Sequence, residues 1–348
     1  MQVWLSVALT FLTALAVTPL AIRLALKYGI VDQPNQRKVH VRPVPRMGGV
    51  AIYAAFVVGV LTLGVYSHQV AALLVAGSMV MLVGFVDDVK NISPKLKLLG
   101  QLLASLLLAY GGFRVQFVTN PFDGGIISLG VLSVPVTVLW LTGISNAVNL
   151  IDGLDGLSAG VSAIAALCMA AVCLAQGNAL AAALAVILAA AALGFLRYNF
   201  NPAKTFMGDC GSLFLGFILG AIAILGLSKG ATVVSLFIPL IIMGIPIFDT
   251  FFAIIRRMFL HKPIFEADKG HLHHSLLSLG LSHRQTVLAI YTISLVMGLG
   301  AVLMAVLTSS QAVVILVVIT IFSFAGAEKL GVLRGNRTST IDLAKESR

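Results

Sequence analysis

Long apolar runs recur along the whole of this 348-residue chain. A helix needs about 20 mostly apolar residues to cross the hydrocarbon core of a bilayer. Eleven segments approach or meet this length, namely 3–26, 47–65, 70–86, 96–111, 131–148, 157–175, 179–196, 211–227, 231–255, 286–307 and 312–327. Only 10% of the residues are charged, whereas a soluble domain carries about 25%. Because alternating strand patterns are weak, the sequence predicts an all-α polytopic membrane protein with about 11 transmembrane helices.

Positive charge is distributed unevenly between the loops of this predicted topology. With the N-terminus outside, 21 of the 23 Lys and Arg residues fall on the cytoplasmic side, and only Arg114 and Lys229 lie outside. The positive-inside rule therefore predicts an external N-terminus and a cytoplasmic C-terminus. The net charge of +10 has the same explanation, so nucleic acid is not expected as a partner.

The polar segments between the spans are short, so we expect one integral membrane domain over 1–328 and a polar cytoplasmic tail over 329–348. The longest external loop has two β-prone stretches around an Asn-Pro-Phe-Asp-Gly sequence, which predicts a small hairpin near 114–129. Gly216-x-x-x-Gly220 is a pattern that lets membrane helices approach closely, and it is compatible with a homodimer.

Acidic side chains are scarce and gather on one side of the predicted membrane. Twelve of the thirteen Asp and Glu residues lie on the cytoplasmic side. Those at or near the ends of spans are Asp87, Asp88, Asp152, Asp155, Asp209 and Asp249. A carboxylate at membrane depth is costly and is usually functional. One such residue could simply face water, but a set from separate segments favours a shared site.

Polar residues also recur at intervals of three along one stretch. Asn146, Asn149, Asp152 and Asp155 stay near one face of a helical path, and the glycine after each aspartate permits a break in the helix. Carboxylate and amide oxygens are the ligands that Mg²⁺ prefers, usually together with substrate phosphates. The spacing indicates a Mg²⁺–diphosphate site.

Basic and imidazole side chains crowd the predicted cytoplasmic loops. The loop 256–285 carries Arg256, Arg257, Lys262, Lys269, His271, His273 and His274. A second loop, 37–46, includes His40 and Arg46, and Lys97 follows the Asp87-Asp88 pair. These groups could bind phosphate or sugar. Clustered histidines are also typical of transition-metal sites. A third interpretation is that these loops are simply solvated and that their positive charge only sets the membrane topology.

Several motifs occur in a fixed order between residues 30 and 285. They are Arg37-Lys38-x-His40-x-x-Pro43-x-Pro45-Arg46-x-Gly48-Gly49, Asp87-Asp88, Asn146 through Gly156, Phe206-Met207-Gly208-Asp209-Cys210-Gly211-Ser212, Pro246-Ile247-Phe248-Asp249-Thr250 and His271-Leu272-His273-His274. The set resembles the polyprenyl-phosphate N-acetylhexosamine-1-phosphate transferases. Within that family it is most similar to the bacterial undecaprenyl-phosphate N-acetylglucosamine-1-phosphate transferases, which initiate teichoic acid, O-antigen or related polymers.

The resemblance implies an enzyme of the bacterial inner membrane whose active site lies on the cytoplasmic face. Its expected partners are UDP-N-acetylglucosamine, undecaprenyl phosphate and membrane lipid, and its cofactor is Mg²⁺, with Mn²⁺ as a substitute. It would form undecaprenyl-diphosphate-GlcNAc and UMP. Expected catalytic residues are Asp87, Asp88, Asp152 and Asp155, and expected metal ligands are Asp209 and Asp88. Expected substrate-binding residues are Lys97, Asn146, Asn149, Asp249, Arg257, His271, His273, His274, Arg46 and His40.

Two other functions are compatible with parts of the sequence. The sister branch that uses UDP-MurNAc-pentapeptide usually has three consecutive histidines, whereas Leu272 interrupts them here, which favours GlcNAc over that donor or another UDP-N-acetylhexosamine. A secondary transporter would place its polar site near the bilayer midplane, on broken helices within inverted repeats. The carboxylates of this chain crowd at one face instead.

Overall fold

The computed structural model describes residues 1–33, 43–119, 126–227, 233–259 and 270–329. Within these ranges the helices are α1 Gln2–Tyr28, α2 Gly48–Thr62, α3 His68–Lys90, α4 Pro94–Tyr110, α5 Ser133–Leu150, α6 Leu157–Ala175, α7 Ala179–Asn199, α8 Gly208–Leu227, α9 Val233–Ile242, α10 Gly244–Phe259, α11 Leu272–Ser278, α12 His283–Val306 and α13 Ser309–Lys329. Two short antiparallel pairs join β1 Val31–Asp32 to β2 Val44–Pro45 and β3 Phe117–Thr119 to β4 Ile126–Ser128. His40, Lys262, Lys269 and the tail 330–348 lie outside the described residues.

Seven helices of the described ranges are long and apolar enough to cross a membrane, by length and composition. They are α1, α3, α5 with the 3₁₀ turn before it, α6, α7, α8 and α12. Each of the eleven predicted segments overlaps at least one helix. The mainly helical architecture of a polytopic membrane protein is confirmed, whereas the count of about eleven spans and their orientation stay predictions.

Helices α6, α7 and α8 form the centre of the molecule. In their most apolar stretches 78%, 72% and 89% of the residues are buried inside the protein. Alanine dominates the buried positions of α7, and α6 packs extensively against α7. Between membrane helices packing comes mainly from close van der Waals contact, which small residues permit. This small-residue core holds α8, and therefore Asp209 in its first turn, in place.

The predicted span 231–255 is wrong as a single helix, because it consists of α9 and α10 with Met243 between them. Pro246 has no N–H for the carbonyl of Ile242, and its ring would clash with that carbonyl in a continuous helix. The two pieces have partly different neighbours: α9 packs on α12, whereas α10 packs on α5 as well as α12. The break therefore lets α10, the helix that carries Asp249, pack against α5.

The β1–β2 pair is a feature that the sequence did not predict. Behind it, the main chain around Pro45 pairs with the segment that precedes α8. Phe206 donates its N–H to the Pro45 carbonyl at 2.8 Å, and Gly48 donates to the Phe206 carbonyl at 3.0 Å. Arg46 lies between these two contacts, so its side chain starts beside the N-terminus of α8.

The predicted hairpin near 114–129 is present as the antiparallel pair β3–β4, while its turn, 120–125, lies outside the described residues. Its external position stays a prediction. The glycine pattern of α8 has an explanation within the chain. A methyl group on Gly216 would lie 2.7 Å from the Ile144 carbonyl oxygen, and Trp140 Nε1 donates to the Gly220 carbonyl at 3.1 Å. Because both glycines face α5, the pattern gives no support to a homodimer, which the sequence offered only as a possibility.

The close approach of α3 to α8 gives a first prediction. Gly84→Ala should lower the thermal midpoint of the detergent-solubilised protein, because the added methyl would lie 2.5 Å from the main chain of Asp209 and Cys210. Overpacking of this kind costs about 1–3 kcal/mol. Gly143→Ala is the matched control, since it also lies inside a helix but would meet nothing within 4 Å. Equal midpoints for the two variants would contradict the contact.

Candidate active site

The carboxylate of Asp88, near the C-terminal end of α3, lies against the first turn of α8. Its Oδ1 accepts the main-chain N–H of Asp209 at 2.8 Å, and its Oδ2 accepts that of Cys210 at 3.0 Å. The first N–H groups of a helix have no partner within the helix, so an acidic side chain from elsewhere serves as their cap. Gly208 permits this approach, because it has a φ of 72° and a Cβ there would lie 2.4 Å from Asp88 Oδ2.

Arg46 bridges Asp88 and Asp209. Its Nε lies 3.0 Å from Asp88 Oδ1, and its Nη2 donates to Asp209 Oδ1 at 2.8 Å. Burial alone would lower the pKa of Arg46, but the charges of Asp88, Asp209 and Asp32 outweigh burial and raise it. The guanidinium therefore stays charged and neutralises part of this acidic cluster.

Lys97, in the first turns of α4, bridges Asp87 and Asp209. Its Nζ lies 3.2 Å from Asp87 Oδ2 and in closer contact with Asp209 Oδ2. Asp209 is thus the point where α3, α4 and the segment before α2 meet. Of the residues that the sequence singled out, Arg46, Asp87, Asp88, Lys97 and Asp209 are brought together by direct contacts.

Gln101, one turn beyond Lys97 on α4, is a site residue that the sequence analysis missed. Asn146 Nδ2 donates to Gln101 Oε1 at 2.6 Å, and Gln101 Nε2 donates back to Asn146 Oδ1 at 3.3 Å. Asn146 also donates to the Thr142 carbonyl at 2.8 Å. Asn146 therefore ties α4 to α5 beneath Lys97. A glutamine inside the largely apolar run 98–109 was the sequence signal that could have revealed it.

The predicted motif 146–156 ends α5 and forms the loop to α6. Asn149 Nδ2 donates to Ser212 Oγ on α8 at 2.8 Å. Asp155 Oδ2 accepts from Asn201 Nδ2 at 2.9 Å and from the Ala203 N–H at 3.0 Å, so it fixes the loop between α7 and α8. These contacts place the motif beside α8.

Asp152 lies between these two fixed points and is half-buried. Burial, together with the charge of Asp209, raises the pKa of Asp152 to about 7. Arg46 acts in the opposite direction, and Asp88 and Asp155 add to the rise. The bond from Asn149 to Ser212 holds the start of this loop beside α8, and the charge of Asp209 contributes to the raised pKa of Asp152.

The histidine motif begins α11 and rests on the 149–156 loop. A Cβ on Gly153 would lie 2.6 Å from His273 Nε2, so the imidazole fits against a glycine. Burial and the neighbouring His274 lower the pKa of His273 to about 3, which keeps that ring neutral at physiological pH. The ring centroids of His273 and His274 are 4.3 Å apart. Arg257, another predicted substrate-binding residue, is buried on α10 two turns beyond Asp249.

An apolar cavity of about 550 Å³ lies between α10, α12 and α13. Phe248, Phe252, Met297 and Ile319 are among its lining residues, and Asp249 is the charged residue on its wall. The cavity therefore adjoins the helix that reaches the histidine motif.

The donor set of the carboxylate cluster fits Mg²⁺. Among the described residues no three His, Cys, Asp or Glu side chains are grouped as a complete metal cage. Mg²⁺ is usually held by one or two carboxylates, with water and substrate phosphates completing its coordination. Oxygens of Asp87 and Asp209 converge on the Lys97 ammonium, so two carboxylates already share one cationic partner at this position.

Comparisons with known proteins identify the family of this chain. The model of the glycosyl transferase family 4 matches residues 70–227. A probable undecaprenyl-phosphate N-acetylglucosaminyl 1-phosphate transferase of Bacillus subtilis is 44% identical over 93% of this chain and 91% of its own length. A decaprenyl-phosphate N-acetylglucosaminephosphotransferase of Mycobacterium tuberculosis H37Rv is 40% identical over 82% of this chain and 79% of its own.

The chain belongs to the glycosyl transferase family 4. The resemblance found in the sequence is thereby confirmed. A phospho-N-acetylmuramoyl-pentapeptide-transferase of Thermoanaerobacter sp. X514 is also similar, at 32% identity over 85% of this chain and 96% of its own. The family match covers α3 to α8, the helices that carry the carboxylate cluster.

The unequal contacts of the two neighbouring aspartates give a second prediction for this family 4 member. Asp88→Ala should lower the thermal midpoint far more than Asp87→Ala, because it removes the acceptor of two main-chain N–H groups and one partner of Arg46. Each lost buried partner costs about 1–3 kcal/mol. Asp87→Ala removes only the salt bridge to Lys97, and Lys97 keeps its other salt bridge, to Asp209. Thermal unfolding in detergent measures both, and identical midpoints would show that Asp88 is no cap.

Proposed function

We propose that this protein transfers N-acetylglucosamine-1-phosphate from UDP-GlcNAc to undecaprenyl phosphate, giving undecaprenyl-diphosphate-GlcNAc and UMP. This would be the first membrane step in making a cell-envelope polysaccharide. The observation that carries the proposal is the meeting of Asp87, Lys97 and Asp209 beside the loop of Asp152. Such a cluster can hold two phosphorylated reactants together.

The relatives support both substrates. The names of the Bacillus subtilis and Mycobacterium tuberculosis proteins specify a polyprenyl phosphate and N-acetylglucosamine, and these are 44% and 40% identical to this chain. The relative named for the muramoyl-pentapeptide is 32% identical. The interrupted histidine motif favours the same donor.

Asp209 and Asp87 are the proposed Mg²⁺ ligands. Asp88, which the sequence suggested as the second ligand, uses both of its oxygens for main-chain N–H groups and is therefore a positioning residue in this proposal. Mg²⁺, once bound, would offset the repulsion between the donor diphosphate and the acceptor phosphate. Mn²⁺ is expected to substitute for it.

The acceptor phosphate needs little help to become a nucleophile. By analogy with phosphoserine its second pKa is about 6, so most of it is dianionic at pH 7. We therefore infer direct displacement, in which Asp87 orients the acceptor and forms no phospho-enzyme. Lys97 and Arg46 would offset negative charge around the reacting phosphates, in the manner common to phosphoryl transfer.

Asp152, Asn149 and the histidine segment are proposed to bind the donor. They lie on the α5–α6 loop and on α11, which touch at Gly153 and His273. Asp155 would support this loop through its bonds to the α7–α8 segment. The apolar cavity beside α10 offers room for part of a hydrocarbon chain.

The proposed domain organisation is a single multi-pass domain over 1–328 followed by a polar tail over 329–348. Its active site would face the cytoplasm of a bacterial cell, because UDP-sugars are made there and most positive residues lie on that predicted side. The chemistry would then take place where α3 and α4 meet, at the Asp87 end of α3.

An assay with purified protein tests the function. We expect UMP and a lipid-linked GlcNAc diphosphate when undecaprenyl phosphate, Mg²⁺ and an equimolar mixture of UDP-GlcNAc and UDP-MurNAc-pentapeptide are supplied. EDTA should stop the reaction, and excess Mg²⁺ should restore it, because two carboxylates alone hold the cation weakly. Product mass identifies the sugar. Transfer of only the muramoyl-pentapeptide, or undiminished transfer in EDTA, would contradict the proposal.

A further inference from the structure

Asp249 of α10 uses both oxygens of its buried carboxylate on the start of α11. Its Oδ2 lies 2.8 Å from His271 Nδ1, and its Oδ1 accepts the Leu272 N–H at 2.8 Å. Asp249 and His271 are 5% and 7% exposed, so water competes little with these bonds. The contact joins the broken membrane span to the histidine motif, across the segment 260–269.

An ionised carboxylate is an acceptor only, so Asp249 requires a proton on His271 Nδ1. The nitrogen left for a reactant is therefore Nε2, whether the ring is neutral or protonated. A buried aspartate that holds an imidazole in one tautomer is a known way to prepare a histidine for chemistry.

The fixed ring also supports its neighbour. The rings of His271 and His273 are parallel within 2°, with centroids 5.8 Å apart, and His273 lies against Gly153. A continuous series of contacts therefore runs from Asp249 through His271 and His273 to the loop that contains Asp152.

We propose that Asp249 is a positioning residue that orients His271, presenting its Nε2 to the UDP-sugar and holding His273 against the 149–156 loop. This replaces the expectation that Asp249 itself binds substrate, and it rests on the proposed transferase function. Asp249 acts on the reaction through His271 and makes no contact with the reacting phosphates.

Asp249→Asn tests this proposal, because asparagine has the same shape and can keep both contacts. Its Oδ1 can accept the Leu272 N–H while its Nδ2 donates to His271 Nδ1, which forces the proton onto Nε2. We expect an unchanged thermal midpoint and a KM for UDP-GlcNAc within about threefold of wild type. The value of kcat should fall about a hundredfold, the scale of one lost acid–base or hydrogen-bonding group. A kcat within threefold of wild type overturns the proposal.

Two companion variants exclude a structural explanation. Thr250→Val is the matched control on the same helix, since the Thr250 hydroxyl is buried without a hydrogen-bond partner among the described residues, and it should leave kcat unchanged. Adding Asp249→Asn to His271→Ala should cause no further loss, because both changes disable one unit. Additive losses would mean that Asp249 does not act through His271.

The outcomes separate this proposal from the function on which it rests. Inactive wild-type protein would contradict the transferase function, whereas active wild type with equally active Asp249→Asn contradicts only the role of Asp249. If Asp249→Asn fails to fold, the kcat of His271→Gln is measured instead. Retention of kcat in His271→Gln overturns the proposal, and a loss comparable to a hundredfold supports it.

Discussion

The site depends on the contacts of the Asp88 carboxylate, because these contacts satisfy two needs at once. The first N–H groups of α8 need acceptors inside a largely apolar protein, and a buried carboxylate needs hydrogen bonds and a positive partner. Main-chain contacts to Asp209 and Cys210, together with Arg46, meet both needs. Three segments far apart in sequence are thereby fixed at one point, and Asp209 necessarily lies there too.

Polar residues in this bundle mostly work in pairs that tie one helix to another. Gln101 and Asn146 join α4 to α5, Asn149 and Ser212 join α5 to α8, and Asp249 joins α10 to α11. Unpaired polar groups are costly in an apolar interior, so each pair restrains the helices that carry it. The restrained ends are those where the proposed reactants would bind.

The length and apolarity of the runs were enough to predict the helices, because spanning a bilayer sets a simple requirement. Scarce carboxylates on one side likewise predicted that Asp87, Asp152 and Asp209 would be near one another. The β1–β2 pair, the break at Met243 and the cap formed by Asp88 were not predicted. The cap depends on main-chain partners more than 100 residues away, and the break depends on one proline. The β1–β2 pair joins strands of two residues each. None of the three leaves a periodic pattern.

The proposed chemistry depends on a divalent cation bound by the carboxylates that meet at the start of α8. The most direct measurement is Mn²⁺ binding followed by electron paramagnetic resonance, with UDP-GlcNAc present and a protein-free sample as reference. Wild-type protein should bind Mn²⁺ that Mg²⁺ displaces, and folded Asp209→Asn should bind it at least about tenfold more weakly. Equal binding by the two proteins would contradict the claim.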